Sequence, residues 1–174
     1  HYIMELSNKK QVFNISSNKL GKGDVKFCWQ PGCRWLALVG DTNVILIVDR
    51  LGKIIVEFQI KTYGKVKTME FDSDGDTLAI FQENCSIVKI INIHSKKEFD
   101  MEIDRSNGDK PTSIKWAKKD PCLAICTEKG LIYIYNKQTS KLIPCGLTHS
   151  DGIISCDWND ECNLITAGKD YCIG

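Results

Sequence analysis

Three aspartates on alternate positions, Asp72, Asp74 and Asp76, followed by Glu83, are the first residues whose types and spacing fit a chemistry. They match a calcium loop, which takes oxygen ligands at positions 1, 3, 5 and 12. Two features count against that reading. Such a loop wants glycine at its sixth position, where Thr77 stands, and its later positions here form the apolar run "LAIFQ". A turn between two strands accounts better for "DSDGDT", because aspartate caps its own backbone there and glycine takes positive φ without a Cβ clash.

Other chemistry-bearing residues are equally open to plain readings. His149, Asp151 and Ser155 supply the residue types of a hydrolase triad, but a triad is defined by geometry and the chain has no GxSxG nucleophile elbow. "GKGDVK", near residue 21, lacks the spacing and the GK[ST] ending of a phosphate loop. His94 falls in the polar turn "NIHSKKEF". The nine cysteines are odd in number, include no close CxxC pair and accompany only three histidines. That pattern fits neither a disulfide framework nor a zinc site. Cys28, Cys122, Cys126 and Cys156 lie in apolar strand-like runs, where a free thiol behaves as a small hydrophobe, so the cysteines are read as reduced and the compartment as cytosolic in type. No catalytic residue, metal ligand or cofactor is assigned.

The elements that position these residues follow from composition and repetition. With 43% hydrophobic and 26% charged residues and a formal charge of +1, the chain has the make-up of a soluble globular protein. Near-balanced charge and short Lys/Arg clusters give no electrostatic case for nucleic acid. The longest apolar runs, such as "VILIV" and "LIYIY", are strand-sized and argue against membrane insertion. Four segments superpose on a bulky aromatic, a turn and a leucine. The aromatics Trp29, Phe71, Trp116 and Trp158 are separated by 42, 45 and 42 positions, and the leucines Leu36, Leu78, Leu123 and Leu164 by 42, 45 and 41. This period is that of a four-stranded propeller blade. Each unit reads as short β-branched and aromatic strands divided by turn residues, so these eight residues are expected at equivalent core positions of successive blades.

The spacing predicts an all-β propeller fragment with three full blades and most of a fourth, over residues 24–60, 65–103, 110–147 and 152–174. Residues 1–23 are expected to form leading strands, one of which closes the ring. "KKEFDMEIDRSNGDK", residues 96–110, is the longest polar stretch between blades and the first candidate contact surface.

The fourth unit, "THSDGIISCDWNDECNLITAGKDYCIG", resembles a WD repeat. The likeness implies that His149 in the linker, Thr166 in the second strand and Asp170 in the following turn form a hydrogen-bonded network, completed in the family by a third-strand tryptophan that the spacing places two positions beyond Gly174. Earlier units depart from the pattern. Their third strands end in Val48-Asp49, Ile91-Asn92 and Tyr135-Asn136, and Thr42, Asn84 and Lys129 replace the turn aspartate, so apolar packing is expected to hold those blades.

A more specific likeness covers nearly the whole chain. "FCWQPGCRWLALVGDTNVILIVDRLGK", "MEFDSDGDTLAI", "GLIYIYNKQTSKLIPCGLTHSDGIISCDWN" and "NLITAGKD" are similar to the N-terminal propeller of the large WD-repeat subunit of intraflagellar transport complex A. That resemblance implies a non-enzymatic scaffold in retrograde ciliary transport and ciliary entry of membrane proteins. It implies other complex A subunits and adaptors for ciliary membrane cargo as partners, and the cytoplasm and cilium, with axoneme and basal body, as location. A coat or adaptor propeller outside cilia, or a propeller enzyme or ligand-binding module, would share the architecture.

Overall fold

The computed structural model describes residues 2–5, 10–61, 63–103 and 108–174, and its elements are almost entirely β. Strands β1 (Tyr2–Glu5) and β2 (Lys10–Asn14) pair antiparallel as a separate hairpin. The first four-stranded sheet follows as β3 (Lys26–Trp29), β4 (Trp35–Val39), β5 (Val44–Asp49) and β6 (Ile54–Gln59). The second comprises β7 (Val66–Phe71), β8 (Thr77–Gln82), β9 (Ile87–Asn92) and β10 (Glu98–Glu102). The third comprises β11 (Pro111–Trp116), β12 (Cys122–Thr127), β13 (Leu131–Asn136) and β14 (Lys141–Leu147). Strands β15 (Ile153–Trp158) and β16 (Leu164–Gly168) form a further two-stranded sheet. Within every sheet the strands pair in chain order and antiparallel, the meander of a propeller blade.

The repeat lands in one register throughout. Trp29 pairs with Leu36, Phe71 with Leu78, Trp116 with Leu123 and Trp158 with Leu164, each aromatic closing the first strand of its sheet.

Alternate residues of the second strands serve different cores. Leu78 and Ile80 of β8 pack into a cluster with Ala37, Ile45 and Ile47 of the first sheet, whereas Ala79 and Phe81 pack with Ile114, Trp116 and Leu123 of the third. Because successive side chains of a strand point to opposite faces, a strand buried on both sides is apolar on both, and β8, buried along its whole length, reads Leu78-Ala79-Ile80-Phe81 between Thr77 and Gln82. The alanine after each of the first three leucines, Ala37, Ala79 and Ala124, is fully buried and lets the next sheet approach closely.

The ends of the stack depart from expectation. Residues 1–23 are not strands throughout, since Ser17–Leu20 forms a one-turn helix, α1, ended by Gly21 at φ 87 with Leu20 turned fully into the core. Trp29 also corrects the reading of a core position. It is 41% exposed, against 5% for Phe71 and 3% for Trp116, because among the described residues no four-stranded sheet lies against the face it shares with Phe27. The hairpin, Ile15 and α1 pack on Leu36, Leu38, Leu46 and Val48, with Val44 and Ile54 at the margin, through Ile3, Phe13, Ile15 and Leu20. A half-open apolar cleft of about 590 Å³ remains between them and β3. Trp158 and Leu164 are likewise only partly buried.

Substitutions of opposite sense on β8 test this double burial. Ile80→Ala should lower stability by about 2–5 kcal/mol through a cavity facing the first sheet. Ala79→Leu should lower it by about 1–3 kcal/mol through overpacking against the third. Urea midpoints for both variants decide the matter, because a strand covered on one face would tolerate one of the two changes.

Candidate functional site

Polar side chains converge where the linker from the third blade reaches β15. Gly130 opens this corner. It has φ 81, and a Cβ there would lie 2.1 Å from the carbonyl oxygen of His149, so the linker can pass this close only over glycine. The Thr148 and His149 amides both donate to the Gly130 carbonyl, which aims the His149 ring at β16. His149 is 2% exposed, and both ring nitrogens are engaged: Nδ1 lies 2.9 Å from Asp170 Oδ1 and Nε2 2.9 Å from Thr166 Oγ1. A carboxylate only accepts, so Nδ1 donates to Asp170, and in the neutral ring Nε2 accepts the Thr166 hydroxyl proton. Asp170 also accepts the amides of Ser150 at 2.9 Å and Cys172 at 3.1 Å. The His149 hydrogen bond, reinforced by these amides, pulls the Asp170 carboxyl down to about 2. The structure therefore brings His149, Thr166 and Asp170 together, and Thr166 further exchanges backbone hydrogen bonds with Gly174 at 3.0 Å.

The same arrangement leaves no triad around His149. With both nitrogens held by Thr166 and Asp170, Ser155 stands exposed on β15, and Asp151 accepts the amide of Gly152 at 2.6 Å.

The aspartates of "DSDGDT" form a hairpin turn between β7 and β8. Asp72 Oδ1 accepts the amides of Asp76 and Thr77, both at 3.0 Å, and Gly75 takes φ 74. Their side chains are met from other turns: Lys137 Nζ binds both Asp72 and Asp74, at 2.9 Å to the latter, and His94 Nε2 lies 2.9 Å from Asp76. His94 also stacks edge-on with Trp35 at 5.1 Å, so this turn histidine joins the first and second sheets. Sequence gives no warning of either link, since 63 residues separate Asp74 from Lys137.

The third-strand ends have a local role. Asp49, Asn92 and Asn136 each use Oδ1 to accept amides of the turn that follows, at 2.9–3.0 Å. Where Trp-Asp is missing, an Asp or Asn still fills the position and caps the turn.

Along the inner strands, Cys28, Glu70, Lys115 and Cys156 line a cavity of about 490 Å³. Glu70 bridges two blades, accepting the Trp116 amide at 3.2 Å and pairing with Lys115 at 2.8 Å. Burial pushes the Glu70 carboxyl up, against the opposing pull of Lys115. Burial and then the Glu70 charge push the Cys28 thiol up to about 12. "GKGDVK" packs on the Asp41 carboxylate, 2.0 Å from a Cβ built at Gly23, a surrounding that suits no phosphate.

The family model described as the WDR19 first β-propeller matches residues 25–174. The WD repeat-containing protein 19 of Mus musculus is 32% identical over 165 residues, covering 94% of this chain and 12% of that protein. The WD repeat-containing protein dyf-2 of Caenorhabditis elegans is 25% identical over 175 residues, covering 95% and 12% respectively. The chain thus spans about an eighth of the curated relatives it matches. Among solved structures, the Cps50 (Swd1) β-propeller domain of Myceliophteria thermophila superposes with a TM-score of 0.69 at 14% identity, covering 83% of this chain and 50% of that one, a likeness of fold.

The polar corner should respond to acid in a defined direction. Because the folded Asp170 carboxyl is held below its ordinary range, its contribution is present in full above the unfolded carboxylate pKa and is lost as pH falls through about 2. Asp170→Asn should remove that acid-dependent component from stability measured between pH 5 and pH 2, a window of about three units. Gly168→Ala should cost about 1–3 kcal/mol, since the new Cβ would fall 2.4 Å from His149 Nδ1 and 2.5 Å from Asp170 Oδ1. At the acid turn, Lys137→Met should cost about 1–3 kcal/mol by leaving the buried Asp72 charge without its cation, and adding Asp72→Asn should restore part of it. Chemical denaturation of the single and double variants reads this out.

Proposed function

The chain belongs to the family of the first WDR19 β-propeller, and on that premise we propose that it acts as a non-enzymatic scaffold within intraflagellar transport complex A. Family membership across residues 25–174 carries the reading. It is supported by the direction the polar groups take: His149, Thr166 and Asp170 bind one another, as do Glu70 and Lys115, and Lys137 with Asp72 and Asp74. Groups engaged in this way stiffen the blades, and stiff blades hold their connecting loops in fixed positions for partners to read. We place the protein in the cytoplasm and cilium, at the basal body and along the axoneme, serving retrograde transport and ciliary entry of membrane proteins. Other complex A subunits and adaptors for ciliary membrane cargo are its partners, each modest contact adding to the others across a multisubunit coat. His149, Thr166 and Asp170 are assigned a structural role, tying a blade to its linker.

Residues 96–110 are the proposed contact surface, of which 104–107 lie outside the described residues. Lys96, Lys97 and Glu98 are exposed, and Phe99 is 45% exposed on the outer strand of the second blade.

Affinity purification of the full-length tagged protein from ciliated cells should enrich complex A subunits, and reversing the charge of Lys96 and Lys97 should reduce that enrichment about tenfold, the loss of ~1.4 kcal/mol of binding, at unchanged thermal stability. Recovery of vesicle-coat subunits in place of complex A subunits would overturn the assignment.

A further inference from the structure

Cys126 and Cys156 meet across the seam between the third blade and β15. Alternation along β12 sends Leu123 and Ile125 toward the second blade and Ala124 and Cys126 toward β15. Cys156 projects from β15 into the same cluster, which also holds Ile132 and Ile153. Their exposures are 0% and 7%. The two side chains interact within this cluster, and Ser113, which pairs with Cys126 across β11 and β12, has its Oγ 3.5 Å from Cys156 Sγ. The backbone on both sides is pinned by one hydroxyl: Thr112 Oγ1 donates to the carbonyls of Ile153 and, at 3.2 Å, of Cys126.

The two sulfurs are not equivalent. The hydrogen bond to Cys156, then burial, raises the Cys126 thiol. Cys156 is lowered, first by that same hydrogen bond, with Ser113 and the Lys115 ammonium acting in the same sense and burial and the Glu70 charge opposing them. Access differs too. Cys156 lines the 490 Å³ cavity along the inner strands, and Cys126 lies behind it, away from that cavity's lining. A sulfur that lines a cavity open to a water-sized molecule, with a second thiol beside it in the same buried cluster, is the arrangement a peroxide-reactive pair requires.

We propose that Cys126 and Cys156 are a redox modification site that hydrogen peroxide converts to a disulfide between blades. The Cys156 thiolate attacks one oxygen of the peroxide; the O–O bond breaks, and the departing hydroxide takes a proton and leaves as water. Cys156 is then a sulfenic acid. The Cys126 sulfur attacks the Cys156 sulfur, the S–S bond forms as the S–O bond breaks, and the hydroxyl leaves with the Cys126 proton as a second water. Two thiols have lost two electrons, and one peroxide has become two waters. A dithiol reductant returns both electrons. The bond would cross-link β12 to β15 around 29 intervening residues, enclosing the His149 linker in a covalent loop. Such a loop restricts the unfolded chain, so oxidation should make this seam harder to open.

Other cysteines serve as controls. The Cys28 thiol is held near 12 by burial and the Glu70 charge, and Cys122 is pushed up by burial while accepting a hydrogen bond from Asn136 at 3.6 Å. Exposed Cys33, Cys145 and Cys172 report on general thiol oxidation.

The test treats the full-length protein with hydrogen peroxide at neutral pH, alkylates remaining thiols under denaturing conditions, and maps peptides without reductant by mass spectrometry. The expected product joins the peptide carrying Cys126 to the peptide carrying Cys156, with the mass of two hydrogens missing. It should vanish in Cys126→Ser and in Cys156→Ser, persist in Cys122→Ser and Cys162→Ser, and be reversed by dithiothreitol. Ser113→Ala, which keeps both thiols, should slow cross-linking several-fold at unchanged circular dichroism, and oxidised wild type should resist proteolysis between β14 and β15 longer than reduced protein. Alkylation of both thiols after peroxide, a cross-link that survives Cys126→Ser, or Cys156 driven to sulfinic acid without a cross-link would each overturn the proposal.

Discussion

Every four-stranded sheet in this protein has two faces to cover and no means of covering either by itself. That constraint governs the rest. A sheet with one dry face can alternate apolar with polar residues, but β4, β8 and β12 are apolar at nearly every position because their alternate side chains enter separate cores. Each fully buried aliphatic side chain contributes about 1.5–3 kcal/mol relative to exposure, so the seams between sheets outweigh any single polar contact. Stability is therefore shared between neighbours, as it is in other stacked repeats. The small alanines following the repeat leucines set how closely those neighbours approach.

Polar links appear where apolar burial cannot reach, at turns and along the inner strands. Gln30 donates to the Gly75 carbonyl at 3.0 Å, Lys118 pairs with Asp160 at 2.8 Å, and Trp158 Nε1 donates to the Lys115 carbonyl at 2.9 Å. All of these cross between sheets. The exposed Lys118–Asp160 pair adds little to stability, but together these links fix the relative height of adjacent sheets, which apolar packing alone leaves loosely defined. The linkers show two solutions to one problem. Leu20 stands nine positions before Trp29 just as His149 stands nine before Trp158, and Leu38, Ile80 and Ile125 occupy the register of Thr166. Where histidine is present its ring nitrogens must be satisfied, so Thr166 and Asp170 accompany it. Where the position is apolar, none is needed.

This division between apolar seams and polar clips bears on what the molecule can do. A scaffold needs loops held in place, and the clips supply that; a responsive element needs a place where two sheets meet through reactive groups, and the seam holding Cys126 and Cys156 supplies it. The Thr112 hydroxyl, bonded to the carbonyls of Cys126 and Ile153, ties the backbones on both sides of that seam and leaves little room for slippage.

The sequence by itself determined the architecture. A period of 42 to 45 residues, the aromatic-to-leucine spacing and the doubly buried second strands all depend on local chemistry: strand alternation, turn residues and side-chain size. The network of His149, Thr166 and Asp170 was legible only through the likeness to a WD repeat, whose three polar positions fall within one repeat of the chain. The tertiary structure alone decided which repeats touch and through what. Nothing in the chain marks Lys137 as the partner of Asp72, Glu70 as the acceptor of the Trp116 amide, or Cys126 as the neighbour of Cys156, because these pairs are joined by the angle and spacing between sheets, quantities that no residue-to-residue interval encodes. The exposure of Trp29 has the same origin: its type and register match those of Trp116, and only the presence or absence of a covering sheet separates them.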